Sequence, residues 1–182
     1  MSSADANDRA RAEFFRLGVH YYVAGRFAAL TRLFPMAGNL LHHAAEMFLK
    51  RALVRIVGLD KLRKISHDLN GLWREFKTRF VVSDSDASDH SIAELDRFER
   101  LRYPDKVIRE GMEAIFDVFR SHRAKTSGLP KAPLRYSLVL EDVDVLVKLI
   151  FEKAQVNPRF FLQKLTPEAM DFLSRQNSHR LE

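Results

Sequence analysis

The stretch NLLHHAAEMFLKRAL, residues 39–53, carries two superimposed patterns that decide how the chain is read. Leu41, Ala45, Phe48, Leu49 and Ala52, continued by Ile56, recur at helical spacing and line one arc of a helix. Asn39, His43, Glu46 and Lys50 follow one another at steps of four, three and four, so they form a polar stripe on the same helix. Pro35 marks a boundary before it and Gly58 a stop after it, which predicts a helix over 36–57. The stripe reads in two ways. It is either a site where His43 and Glu46 exchange a proton beside a phosphate-binding Lys50, or a satisfied hydrogen-bond network inside a bundle.

Toward the N-terminus, a first helix is predicted over 10–34, with Gly18 and Gly25 as tolerable weak points. Its apolar residues, Phe14, Phe15, Tyr21, Tyr22 and Phe27 among them, cover nearly the whole circumference. Such a helix is buried on more than one side, which predicts a homodimer formed through it. Residues 1–9 read as a flexible tail.

Toward the C-terminus, Ser66 is placed as the N-cap of a third helix with Leu69, Leu72, Trp73, Phe76 and Phe80 at helical spacing. Residues 81–91 read as a polar connector. Ser91 then caps a fourth helix with Ile92, Leu95, Phe98 and Leu101 on its apolar face, and Pro104 stops it. Four amphipathic helices with short connections predict a mainly α protein, an up-and-down four- or five-helix bundle over 1–105. Residues 106–182 read as an extension packed on that bundle. Alternation around Met112–Val118 and Tyr136–Glu141 predicts a β-hairpin there. A helix over 142–155 follows, and Asn157-Pro158 and Thr166-Pro167 each open a short one.

The 182 residues include no cysteine, which excludes a disulfide scaffold, a thiol nucleophile and cysteine-ligated metal. Apolar residues make up 46%, enough for a sizeable core, and no apolar run approaches the length of a membrane span. The first dozen residues, MSSADANDRARA, are polar and carry no secretory signal pattern, so a cytoplasmic protein is expected. The net charge of +6 is uneven: residues 61–80 and 101–135 each carry +4, and residues 81–100 between them carry −4. Basic blocks of this kind attract polyanions such as RNA.

Four phrases in order, YYVAGRFAAL (21–30), NLLHHAAEMFLKRAL (39–53), SHDLNGLWREF (66–76) and FERLRYPD (98–105), resemble the HEPN family of helical nucleotide-binding domains. The resemblance implies a helical bundle that dimerises and a place in toxin–antitoxin, phage-defence or RNA-processing systems. It also implies one of two activities, that of a metal-independent endoribonuclease or that of a non-catalytic partner of a nucleotidyltransferase. The family's ribonucleases carry an arginine and a histidine with four to six residues between them. Here Arg16 and His20, Arg63 and His67, and Arg175 and His179 have three between, and Arg120 and His122 have one. The expected function is therefore a non-catalytic binding module for RNA, a nucleotide or a partner protein in a stress or defence system. A metal-independent ribonuclease with a non-standard His/Arg site is the alternative, and a scaffold with no nucleic-acid role is the second.

His43, Glu46, His67 and Arg102 are the catalytic candidates. Lys50, Asp68, Arg102, Tyr103, Arg120, Arg123 and Lys125 are the candidates for ligand or nucleic-acid contact, with Arg102 on a phosphate and Tyr103 stacked on a base. Arg102 and Tyr103 also read as partners of Glu46 or Asp68, and Asp68 as a helper in capping the third helix. His42, His43, Glu46 and His67 invite a metal, but a di-iron bundle needs Glu-x-x-His phrases on two helices, and this chain has the reverse order once. No metal or cofactor is expected.

Overall fold

A computed structural model describes residues 3–82, 86–102, 104–122 and 134–179. The fold is predominantly helical with one small sheet. It runs α1 (Ser3–Leu30), α2 (Met36–Val57), α3 (Leu59–Ile65), α4 (Leu69–Phe80), α5 (Asp86–Phe98) and a 3-10 turn (Glu99–Arg102). Then come α6 (Pro104–Glu110), β1 (Glu113–Asp117), a second 3-10 turn (Arg120–His122), β2 (Arg135–Val139), α7 (Leu140–Lys153), α8 (Arg159–Leu162) and α9 (Pro167–Ser174).

The α2 helix is the axis of the fold. It packs antiparallel on α1 and also touches α4, α5 and α7, so residues on every side of it are buried. Close approach of α1 and α2 depends on small residues. A Cβ on Gly18 would stand 2.6 Å from the Phe48 ring, and one on Gly25 would stand 2.7 Å from Leu41. The crossing of α2 over α5 is tighter still, because a Cβ on Gly38 would stand 2.1 Å from the Phe98 ring, itself fully buried. Gly38→Ala is therefore expected to lower stability by about 2 kcal/mol through overpacking, read as a reduced urea midpoint with an unchanged slope.

The apolar faces of α4 and α5 are those the helical spacing predicts: Leu69, Leu72, Trp73 and Phe76 on one, Ile92, Leu95 and Phe98 on the other, all buried. Several boundaries differ. Helix α1 begins at Ser3, so residues 3–9 are helical and only residues 1–2 of the expected tail lie outside the described residues. A short helix, α3, occupies the connection between the second and third predicted helices. Ser66 ends it at φ +56°, and the cap of α4 is Asp68, whose carboxylate accepts from the Gly71 N–H at 2.7 Å. Ser91 caps nothing. Helix α5 has already begun at Asp86, and Ser91 is buried within it. The helix ends before Pro104, which instead opens α6, where a missing N–H costs nothing.

The largest correction concerns the sheet. Strands β1 and β2 pair in parallel, with Glu113 beside Arg135 and Asp117 beside Val139, so they are not a hairpin. A parallel pair needs a crossover of a dozen residues or more, and 118–134 supply it. The sheet lies against α5: the Glu94 carboxylate accepts from the Ser137 N–H at 3.0 Å, and Arg97 donates to the Arg135 carbonyl at 2.5 Å. The two expected C-terminal helices form, and Thr166 caps α9 by accepting from the Ala169 N–H at 3.3 Å.

C-terminal elements cover much of α1 and α2. Phe151 of α7 meets both Phe15 and Phe48, with ring centroids 5.5 and 4.7 Å away. On α1, Arg26 is fully buried. It pairs with Asp144 of α7 and donates to the carbonyls of Phe172 (2.9 Å) and Arg175 (2.6 Å) at the end of α9. Tyr22 donates its hydroxyl to the other Asp144 oxygen. The burial of α1 on a second side is thus supplied from within the chain.

Candidate functional site

Glu46 lies at the centre of the polar stripe, and its side chain has no exposed surface. Three donors converge on it. Lys50, one turn later, donates to Oε1 at 2.5 Å, and His43, one turn earlier, donates from Nδ1 to Oε2 at 3.3 Å. His67, from the turn between α3 and α4, donates from Nδ1 to Oε1 at 3.1 Å. Two of these contacts follow from i, i+3 and i, i+4 spacing on α2. The third is tertiary, because the positive φ at Ser66 turns the chain back so that His67 reaches α2. Burial alone would raise the Glu46 carboxyl, but hydrogen bonds from His43 and Lys50, the Lys50 charge and the His67 bond overcome it. They hold Glu46 at about 2.

The members of the cluster differ in access. The Lys50 side chain is 11% exposed and its ammonium is committed to Glu46, whereas the His67 ring is 54% exposed. With Nδ1 fixed on the carboxylate, His67 keeps its tautomer and leaves Nε2 as the free ring nitrogen. His43 sits between them with its ring centroid 5.3 Å from Tyr21.

Beside the cluster is a cleft of about 610 Å³ between the α1–α2 turn, the start of α2 and the 3-10 turn after α5. Leu33, Phe34, Met36, Leu40 and Leu101 form its apolar walls, and Asn39 and His43 are its polar contributions. Leu33 is 51% and Met36 57% exposed, so the cleft is open to solvent. Arg32 and Arg100, both exposed, are the chain neighbours of Leu33 and Leu101.

The structure thus brings Asn39, His43, Glu46, Lys50 and His67 to one place. Asp68 stands next to His67, where it caps α4, and its other oxygen is 3.9 Å from Arg74. Arg120 is elsewhere, paired with Asp142 at the start of α7. The backbone of Arg102 belongs to the 3-10 turn after α5, but its side chain lies outside the described residues, as do Tyr103, Arg123 and Lys125. Two participants carry no local signal in the sequence. The cleft itself is one, since its walls join the α1–α2 turn and the start of α2 to Leu101 of the distant 3-10 turn. Glu99 is the other, placed 3.8 Å from His42 Nε2 by the 3-10 turn.

Fold and site together define a mainly helical protein built round a buried carboxylate that is held ionised by an ammonium and two imidazoles. Compared with protein-family models, curated proteins and solved structures, the chain finds no match.

Proposed function

We propose that the protein is a HEPN-like, non-catalytic binding module that engages single-stranded RNA or a nucleotide, with a base in the cleft beside His43. The observation that carries this reading is the cleft's composition. Apolar walls accept the face of a base, and the Asn39 amide and His43 imidazole offer hydrogen bonds to its edge. Arg32 and Arg100 at the exposed flanks supply positive charge for phosphates. Lys50, spent on Glu46, holds the site together and leaves phosphate contact to these arginines. The module acts as a homodimer in a stress or defence system, beside a nucleotidyltransferase-type partner; since α7 and α9 already cover α1, the dimer does not rest on the burial of that helix.

A salt titration of labelled single-stranded RNA binding to metal-stripped protein tests this, with RNA integrity checked on the same samples. The expected result is intact RNA and an affinity that falls linearly with log salt, with a slope of about −0.7 per phosphate neutralised. Met36→Glu places a negative charge on an exposed wall of the cleft and is expected to weaken binding at least tenfold without altering the fold. Absence of binding at low salt overturns the proposal and turns the search to protein partners.

A second reading rests on one observation. A buried carboxylate that fixes His67 Nδ1 and leaves Nε2 outward is the arrangement of an oriented general base. RNA cleavage by metal-stripped protein, lost in His67→Ala, would establish a ribonuclease in place of the binding module.

A further inference from the structure

His42 is fully buried on α2, one residue away from the polar stripe. Its Nδ1–H donates to the Leu95 carbonyl of α5 at 2.9 Å, which fixes the ring and leaves Nε2 with its lone pair. That nitrogen has no hydrogen-bond partner among the described residues. It stands 3.8 Å from Glu46 Oε2 and 3.8 Å from Glu99 Oε2, beyond hydrogen-bond reach of either carboxylate. Two carboxylates therefore face a buried imidazole lone pair, an arrangement of converging acceptors suited to a cation.

We propose that His42, His43 and Glu99 form a binding site for a divalent transition metal of zinc type. Ligand atoms of the three residues lie within 4.8 Å of one another. Tetrahedral zinc with bonds of about 2.0–2.1 Å brings neighbouring ligand atoms to about 3.4 Å, so the set must close by roughly 1.4 Å. His43 and Glu99, with side chains 17% and 25% exposed, are the two partly exposed ligands, and this closure is assigned to them. His42 stays anchored by Leu95. Glu46 acts from outside the ligand set. By accepting from His43 Nδ1 it orients that ring, keeps Nε2 as its lone-pair nitrogen and adds negative charge close to the metal. Two imidazoles and one carboxylate are the three-ligand set that leaves zinc a further position for water.

The site rests on observations other than those behind the nucleic-acid reading, but it shares His43 with that reading, and zinc and a base edge compete for its Nε2. It also escapes the di-iron pattern, because its carboxylate comes from the 3-10 turn after α5 and not from a Glu-x-x-His phrase.

Calorimetric titration of zinc chloride into chelator-treated protein tests the proposal. One zinc per chain is expected, together with a rise in melting temperature on saturation. Glu99→Gln and His43→Gln, each checked for native far-UV dichroism, are expected to lose at least tenfold in zinc affinity, and exposed His20→Ala to lose none. Cobalt(II) in place of zinc is expected to give the visible absorption of a low-symmetry, four- or five-coordinate ion. Absence of zinc binding at tens of micromolar overturns the site. So does unchanged affinity in both Glu99→Gln and His43→Gln, which would place the metal elsewhere.

Discussion

Glu46→Gln is expected to destabilise the protein by about 3–5 kcal/mol, the range for breaking a buried ion pair by removal of one partner. The carboxylate is fully buried and serves an ammonium and two imidazole N–H groups at once. An amide keeps one acceptor oxygen, turns a donor toward the other groups, and leaves the Lys50 charge uncompensated in a site 11% exposed. Urea unfolding checks the magnitude, and Glu46→Gln combined with Lys50→Met is expected to recover part of it, because the stranded charge is then gone. A single variant as stable as the parent would mean that the cluster is solvated and its ion pair worth little.

The same residue sets an acid dependence. Its carboxyl is lowered from 4.5 to about 2 in the folded chain, so the folded state binds the proton more weakly than the unfolded one. The stabilisation is complete above pH 4.5 and is lost as pH falls toward 2, by about 3 kcal/mol in total at 1.36 kcal/mol per unit. The difference in stability between parent and Glu46→Gln should shrink over that window. Other carboxylates titrate alike in both proteins and cancel in the difference.

The second large effect is expected at Arg26→Met. Arg26 has no exposed surface and ties α1 to Asp144 of α7 and to two carbonyls at the end of α9. Its loss leaves Asp144, 1% exposed, with the Tyr22 hydroxyl as its one remaining hydrogen-bond donor among the described residues, at a cost of about 3–5 kcal/mol. For a chain of this length that corresponds to a fall of about 10 °C in melting temperature. Hydrogen exchange should quicken first in α9, where the Phe172 and Arg175 carbonyls lose their donor. Arg26→Met with Asp144→Leu should regain much of the loss, since an apolar pair of similar volume carries no buried charge. Equal stability of parent and Arg26→Met would mean that α9 does not dock on α1.

What could be read before folding was local. The apolar faces of α2, α4 and α5 follow from residues three and four apart, and such spacing is a property of each helix alone. The same holds for Asn39, His43, Glu46 and Lys50, which share a stripe on α2 in any tertiary setting. Strand direction is not local. Tyr136 and Leu138 alternate with Ser137 alike in a parallel or an antiparallel pair, so the alternation carries no direction of pairing with β1. The starts of α4 and α5 were obscured because Ser66 and Ser91 are good capping residues used otherwise, one at a positive φ and one inside a helix.

By itself, then, the sequence determined a cysteine-free, mainly helical chain with an acid, a lysine and a histidine on one side of its central helix. Tertiary structure alone decided that His67 would complete that cluster, that Glu99 would face His42, and that Arg26 would be sealed under α9. The physical reason is range. Helical period is written in neighbouring residues, whereas these contacts join residues from 21 to 149 positions apart. Their partners are chosen by which surfaces the packed helices bring together, and a buried charge or lone pair then takes whatever partner lies within reach.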